Sequence, residues 1–139
     1  MKSPEIQRAI KFDRFNVTKC HITSDPDLKS EDLKDISIEF KFGPGFCDAE
    51  PNRFRVSFII SLVKEDPARL SLDVESICEF STIQPITEDF KKSDFALINA
   101  PAIGFPFLRS FIQTLCVNIG IPPIILPSFN FAAAKNADE

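Results

Sequence analysis

The spacing of apolar residues changes once along this chain, and that change limits what it can become. Up to residue 80 the large apolar residues recur mostly at every second position, whereas beyond Gln84 they recur three and four apart. The first period belongs to half-buried strands and the second to amphipathic helix. The clearest strand is "DISIEFKF", with Ile36, Ile38, Phe40 and Phe42 on one side and Ser37, Glu39 and Lys41 on the other. A third strand keeps Phe54, Val56, Phe58, Ile60 and Leu62 in phase, and a fourth keeps Leu70, Leu72, Val74, Cys78 and Phe80. Ile59, Val63 and Ile77 fall on the opposite face of these two, so the second face of the sheet is not wholly polar.

The first strand, Ile10 to Ile22, alternates at Ile10 and Phe12 and then in the opposite phase at Phe15 and Val17. That reversal predicts a bulge near Arg14. "TSDPDLKSEDLKD" reads as a polar crossover loop whose only large apolar residues are Leu28 and Leu33. "GPGFCDAEPN" ends the second strand, and "KEDPAR" supplies the turn between the third and fourth.

"ITEDFKKSDF" predicts a short helical turn capped by Thr87, with Glu88 and Asp89 in its first turn. "PAIGFPFLRSFIQTL" then opens a long helix, with Pro106 placed in the first turn, where a missing N–H costs nothing. Phe107, Leu108, Phe111, Ile112, Leu115, Cys116 and Ile119 form its apolar stripe, and Gly120 is placed to end it. Prolines hold the following segment extended, and residues 132–139 are expected to fray. Four strands followed by a helix predict an α+β fold: a four-stranded antiparallel sheet packed with one long C-terminal helix. The 139 residues suffice for one such domain, spanning 1–139.

Composition narrows the function classes. A net charge of −4 argues against nucleic acid as a partner. "MKSPEIQRAIKFDRF" has no long apolar stretch, and no continuous apolar run reaches the length needed to cross a bilayer. No signal peptide or membrane insertion is therefore expected, and the cytoplasm is the expected location. Cys20, Cys47, Cys78 and Cys116 are widely spaced and are expected to be reduced thiols.

Little here resembles catalytic machinery. His21 is the only histidine, no GxSxG is present, and neither zinc-ligand spacing nor a phosphate-binding glycine loop can be drawn. His21 reads as structural, and neither cofactor, metal nor catalysis is expected. The unusual feature is fifteen Phe with no Trp or Tyr. "FPF", "PPIIL" and "FNF" set Phe and Ile beside prolines, outside helical periodicity. Two readings stand for these segments: a proline-shaped core loop, or the lining of a groove for extended apolar polypeptide.

The residues that carry this feature resemble a known family. "PAIGFPFLRSFIQTL" is similar to the main-helix motif of SecB-type export chaperones, P-x-I-x-F-P-[YF]-x-R-x-x-[IL]. Pro101, Ile103, Phe105, Pro106, Phe107, Arg109 and Ile112 take its places. "GIPPIILPSFNF" is similar to the G-x-[FY]-P segment ending in N-F, with Gly120, Pro122, Leu126, Asn130 and Phe131 in place. Phe80-Ser81 resembles the I-F-S that ends the family's fourth strand. The match covers about residues 99 to 131.

The resemblance implies a SecB-like fold, a dimer of dimers assembled through the helices, and an ATP-independent holdase that binds unfolded polypeptide clients along apolar grooves. Carried over by position, the client-binding residues are Phe80, Phe105, Phe107, Leu126, Phe129 and Phe131, with Leu28 and Leu33 added from the loop. Phe111, Ile112 and Leu115 fall at the oligomer interface. SecA, to which export-type members deliver clients through acids on strands one and four, is the further partner implied. Asp73 keeps the strand-four place, whereas "TKCHITS" on strand one has no acid before Asp25. A second C-terminal helix is expected to be missing, since "FNFAAAKNADE" stops where it would begin. The alternatives are a chaperone dedicated to one partner such as an antitoxin, a self-assembling structural protein without a groove, and a small-ligand protein or enzyme using the space between helix and sheet.

Overall fold

The structure, a computed structural model, describes residues 10–137. Its four strands are β1 (Ile10–Ser24), β2 (Ser37–Phe46), β3 (Arg53–Lys64) and β4 (Leu70–Thr82). They form one antiparallel sheet in the order β1-β4-β3-β2. Strict alternation positions the core. In β3 every second residue from Phe54 to Leu62 is buried, and in β4 every second one from Leu70 to Phe80. The register brings Phe54 opposite Phe80, Ile60 opposite Val74 and Leu62 opposite Leu72 on one face.

β1 slips against β4 twice, between Phe12 and Arg14 and between Val17 and Lys19. The first is the predicted bulge. The second was not legible, because Thr18, Lys19, Cys20 and His21 carry no apolar phase. Together the slips keep Phe12, Phe15, Val17 and Ile22 opposite Phe80, Cys78, Ser76 and Leu72, the inward row of β4. Adjacent Cys20 and His21 pair with Val74 and Asp73, on opposite faces.

The loop from β1 to β2 crosses two intervening strands. Asp25 pins it, donating its N–H to the Arg69 carbonyl at 2.9 Å while its carboxylate accepts from the Arg69 N–H at 2.8 Å. Within it, Ser30–Leu33 forms one 3₁₀ turn.

Helix α1 (Glu88–Lys91) is capped as its sequence predicts, Thr87 Oγ1 accepting from the Phe90 N–H at 3.1 Å. A π-helical turn, Phe95–Asn99, then runs into α2 (Ala100–Ile119). The widened turn stands directly ahead of Pro101, which has no N–H to continue an ordinary ladder. Because α2 begins at Ala100, Pro106 lies inside the helix and not in its first turn. The orphaned carbonyl is that of Ala102, and both residues are exposed, so solvent can take the bond.

The buried stripe of α2 is accordingly rotated from the expected one. Gly104, Phe105, Leu108, Ile112 and Cys116 face the sheet, while Phe107 and Ile119 are exposed. Gly104 permits the close approach: a Cβ there would lie 2.5 Å from Cys78 Sγ and 3.1 Å from Phe58. Gly120 ends the helix in the left-handed conformation, φ 80°, with its N–H on Cys116 O. Burial pushes the Cys78 thiol up to about 12, so it stays a neutral packing group.

The helical segment Glu88–Ile119, broken by a turn at Lys92 and Ser93, is long and apolar enough, by length and composition, to cross a membrane, although no unbroken apolar stretch of that length exists. Its buried stripe lies on the sheet, the position of a core helix. The tail also departs from expectation. Residues expected to fray from 132 form helix α3 (Phe131–Ala137), capped by Asn130, whose Oδ1 accepts from the Ala133 N–H at 2.9 Å. Residues 138 and 139 lie outside the described residues.

Candidate functional site

The prolines after Gly120 keep residues 121–130 out of regular structure, and this segment returns along the sheet toward β2. Alternate residues point in: Ile124 and Leu126 are buried, while Ile125 is 79% exposed. Phe129 then stacks on Phe40 with centroids 4.3 Å apart and meets Phe105 edge-on at 5.1 Å. Phe131 meets Phe42 edge-on at 4.8 Å and Phe105 at 5.9 Å. Five rings from β2, α2 and the C-terminal segment therefore form one assembly. Arg109 is its polar margin, with its guanidinium 5.1 Å from the Phe105 ring centroid and Nη2 donating to the Pro127 carbonyl at 3.3 Å.

A second aromatic group lies on the other flank of α2. Phe107 stacks on Phe12 at 4.8 Å and on Phe15 at 6.0 Å, yet remains 45% exposed. Ile103 and Val117 are exposed on the same helix.

The predicted site residues thus divide. Phe105, Leu126, Phe129 and Phe131 come together, but only Phe129 is less than fully buried. Phe107 is on the opposite flank. Phe80 is a core residue, 1% exposed, stacked on Phe54 at 5.0 Å and touched edge-on by Phe12. Leu28 is buried at the far end of the strands and Leu33 packs half-buried against the core. Of the residues assigned to the oligomer interface, Phe111 and Leu115 are half-buried. Ile112 is fully buried on this chain's own core, so a second copy cannot touch it without opening the fold.

Phe40 and Phe42, which lie in this assembly, are not among the site residues the sequence singles out. Their alternation marks them only as inward-facing; that β2 is an edge strand, leaving its inner face to be covered by a loop, is a property of strand order.

The outer face of the sheet is mostly polar, with Ile59 and Val63 exposed on it. Arg14 and Arg55 both reach Glu79, at 2.8 and 2.9 Å, and the Arg14 hydrogen bond holds the Glu79 carboxyl below its ordinary value. Asp35, Glu39 and Asp73 line a shallow depression there, where Ser61 Oγ donates to Asp73 at 2.6 Å. Among the described residues, no three of His, Cys, Asp and Glu gather as a metal-holding group.

No family model matches the chain. An uncharacterized protein of Methanocaldococcus jannaschii is 33% identical over 131 residues, covering 89% of this chain and 81% of that one. The protein-export protein SecB of Neorickettsia sennetsu is 26% identical over 131 residues, covering 94% of this chain and 71% of the relative. A solved structure of the SecB-like chaperone Rv1957 of Mycobacterium tuberculosis, in complex with a ChAD peptide from the HigA1 antitoxin, superposes with a TM-score of 0.70 at 15% identity. It covers 90% of this chain and 94% of that one. The four-stranded antiparallel sheet with one long helix is the SecB-like fold. In sequence, over nearly its whole length, and in fold the chain is SecB-like.

Proposed function

We propose that this protein is an ATP-independent holdase that binds extended apolar segments of non-native polypeptides. The observation that carries this reading is the aromatic assembly of Phe40, Phe42, Phe105, Phe129 and Phe131 at the margin of sheet and helix. Phenylalanine rings make apolar contact without directional demands, so the half-buried Phe40, Phe42 and Phe129 would accept many sequences. Each contact contributes roughly 25 cal/mol per Å2 buried, and affinity arises when one long segment engages several sites. Assembly as a dimer of dimers would multiply those sites. The exposed Ile103, Phe107 and Val117 on α2, with half-buried Phe111 and Leu115, are the surface for it. Neither catalysis nor a cofactor enters this reading, and its setting is the cytoplasm.

The test is aggregation of a denatured client diluted with and without the protein, in the absence of ATP. Suppression near one oligomer per client is the expected result; none at large excess sinks the reading. A second reading, a chaperone dedicated to one antitoxin, is favoured by the peptide bound to the M. tuberculosis relative. A pull-down that returns a single stoichiometric partner would select it. Delivery to SecA has less support: Asp73 faces outward, but its partner in register on β1 is His21 and not an acid.

A further inference from the structure

We propose that the outer face of the sheet, turned away from α2, pairs with the same face of a second copy of this chain set end for end. This does not depend on the holdase reading. The two ends of that face differ in charge. At one end Lys11 and Arg53 flank Ser81, and in the next row Arg14 and Arg55 flank Glu79. These four cations outnumber the neighbouring carboxylates of Asp13, Glu50 and Glu79. At the other end Asp35, Glu39, Glu65, Asp66 and Asp73 line the depression, with Lys64 as the cation among them. Between the ends lies the apolar part of the face. Ile59, 43% exposed, stands between Lys41 and Glu75, and one row away half-buried Ile77 stands between Asn16 and Ser57.

A half turn about an axis across the middle of the strands lays each basic end over the partner's acidic end. It also gathers Ile59 and Ile77 of both copies near the axis. Such self-complementarity is what a two-fold interface requires, whereas a partner of one charge would satisfy only one end of the face. The area is sufficient. Four strands about 4.8 Å apart, with about eleven residues rising about 3.3 Å each, present about 700 Å2. A standard interface takes about 800 Å2 per partner. With so few apolar residues the contact is polar and weakened by salt.

The experiment uses the full chain and two charge reversals at exposed positions, Arg53→Glu at the basic end and Glu39→Lys at the acidic end. Self-association is measured by sedimentation equilibrium for wild type, each variant and their equimolar mixture. Each variant alone is expected to associate about tenfold or more weakly, since like charges then meet. The mixture is expected to return to within about threefold of wild type, because the new acid of one chain meets the new lysine of the other. Association through α2 would be unchanged by either reversal. Wild-type affinity in both single variants therefore overturns the pairing, as does a wild type that stays monomeric. A mixture as weak as its components overturns the end-for-end arrangement and the proposal with it.

Discussion

The two flanks of α2 carry the same residue type and treat it oppositely. Toward β2, Phe105 and Phe131 are buried because the chain folds back and lays Phe129 on Phe40. Toward β1, Phe107 stacks on Phe12 and Phe15 with nothing over it among the described residues, where it is 45% exposed. Phenylalanine content alone therefore says little about role. What separates core from contact surface is whether the chain itself provides a cover, and only the β2 flank has one in the described residues.

The largest expected difference comes from truncating one ring on each flank. Phe105→Ala removes a buried ring and should cost about 3–5 kcal/mol of stability. Phe107→Ala, half-exposed, should cost about 1 kcal/mol or less, and its effect should appear instead in weaker self-association or client holding. Urea unfolding of both variants with unchanged m-values measures this. Equal losses would erase the distinction between the flanks.

Gly104 tests the seam between them. Its would-be Cβ meets Cys78 Sγ at 2.5 Å, so Gly104→Ala must push the helix off the sheet or displace Cys78, at about 1–3 kcal/mol. Cys78→Ala in the same chain should recover part of that loss. Failure of the pair to couple would mean that α2 approaches β4 less closely than the structure places it. A smaller effect of opposite sign is expected at Ser76, whose Oγ is buried with no hydrogen-bond partner among the described residues. Ser76→Ala should be neutral or stabilising by up to about 1 kcal/mol, read as a rise in Tm.

How far the sequence could be read follows the same division. Strands, turns and the Thr87 and Gly120 caps were legible because each depends on neighbours two to four residues apart. Spacing alone puts the start of α2 too late, because Pro106 has the character of an N-terminal proline while Ala100 and Pro101 already begin the helix. The short helix at Phe131 was overlooked, although Asn130 before a run of three alanines is a capping signal. Family resemblance picks out Phe105, Leu126, Phe129 and Phe131, which the structure gathers on the β2 flank, and Phe80, which it buries. It passes over Phe40 and Phe42, which lie in the same assembly. Both differences share a cause: an inward strand position becomes core on central β4 and part of a marginal assembly on edge β2. Strand order comes from long-range pairing, which local spacing does not encode.

The smallest effect concerns how the exposed flank is tied to the sheet. Arg14 on β1 and Arg55 on β3 both grip Glu79 on β4, so one carboxylate staples three strands on the outer face. Its folded-state pKa is lowered, chiefly by the Arg14 hydrogen bond. A carboxylate lowered in the folded state contributes stability that is fully present above its ordinary value of 4.5 and fades as pH falls through the lowered value. Both arginines are more than half exposed, so the contribution is small and screened by salt. Glu79→Gln should therefore lower Tm slightly at pH 7 and flatten its decline between pH 5 and pH 3, and 1 M salt should reduce the difference from wild type. An acid limb of the same steepness in both proteins would show that the staple does not hold β1. The uncovered rings Phe12, Phe15 and Phe107 would then owe their placement to apolar stacking alone.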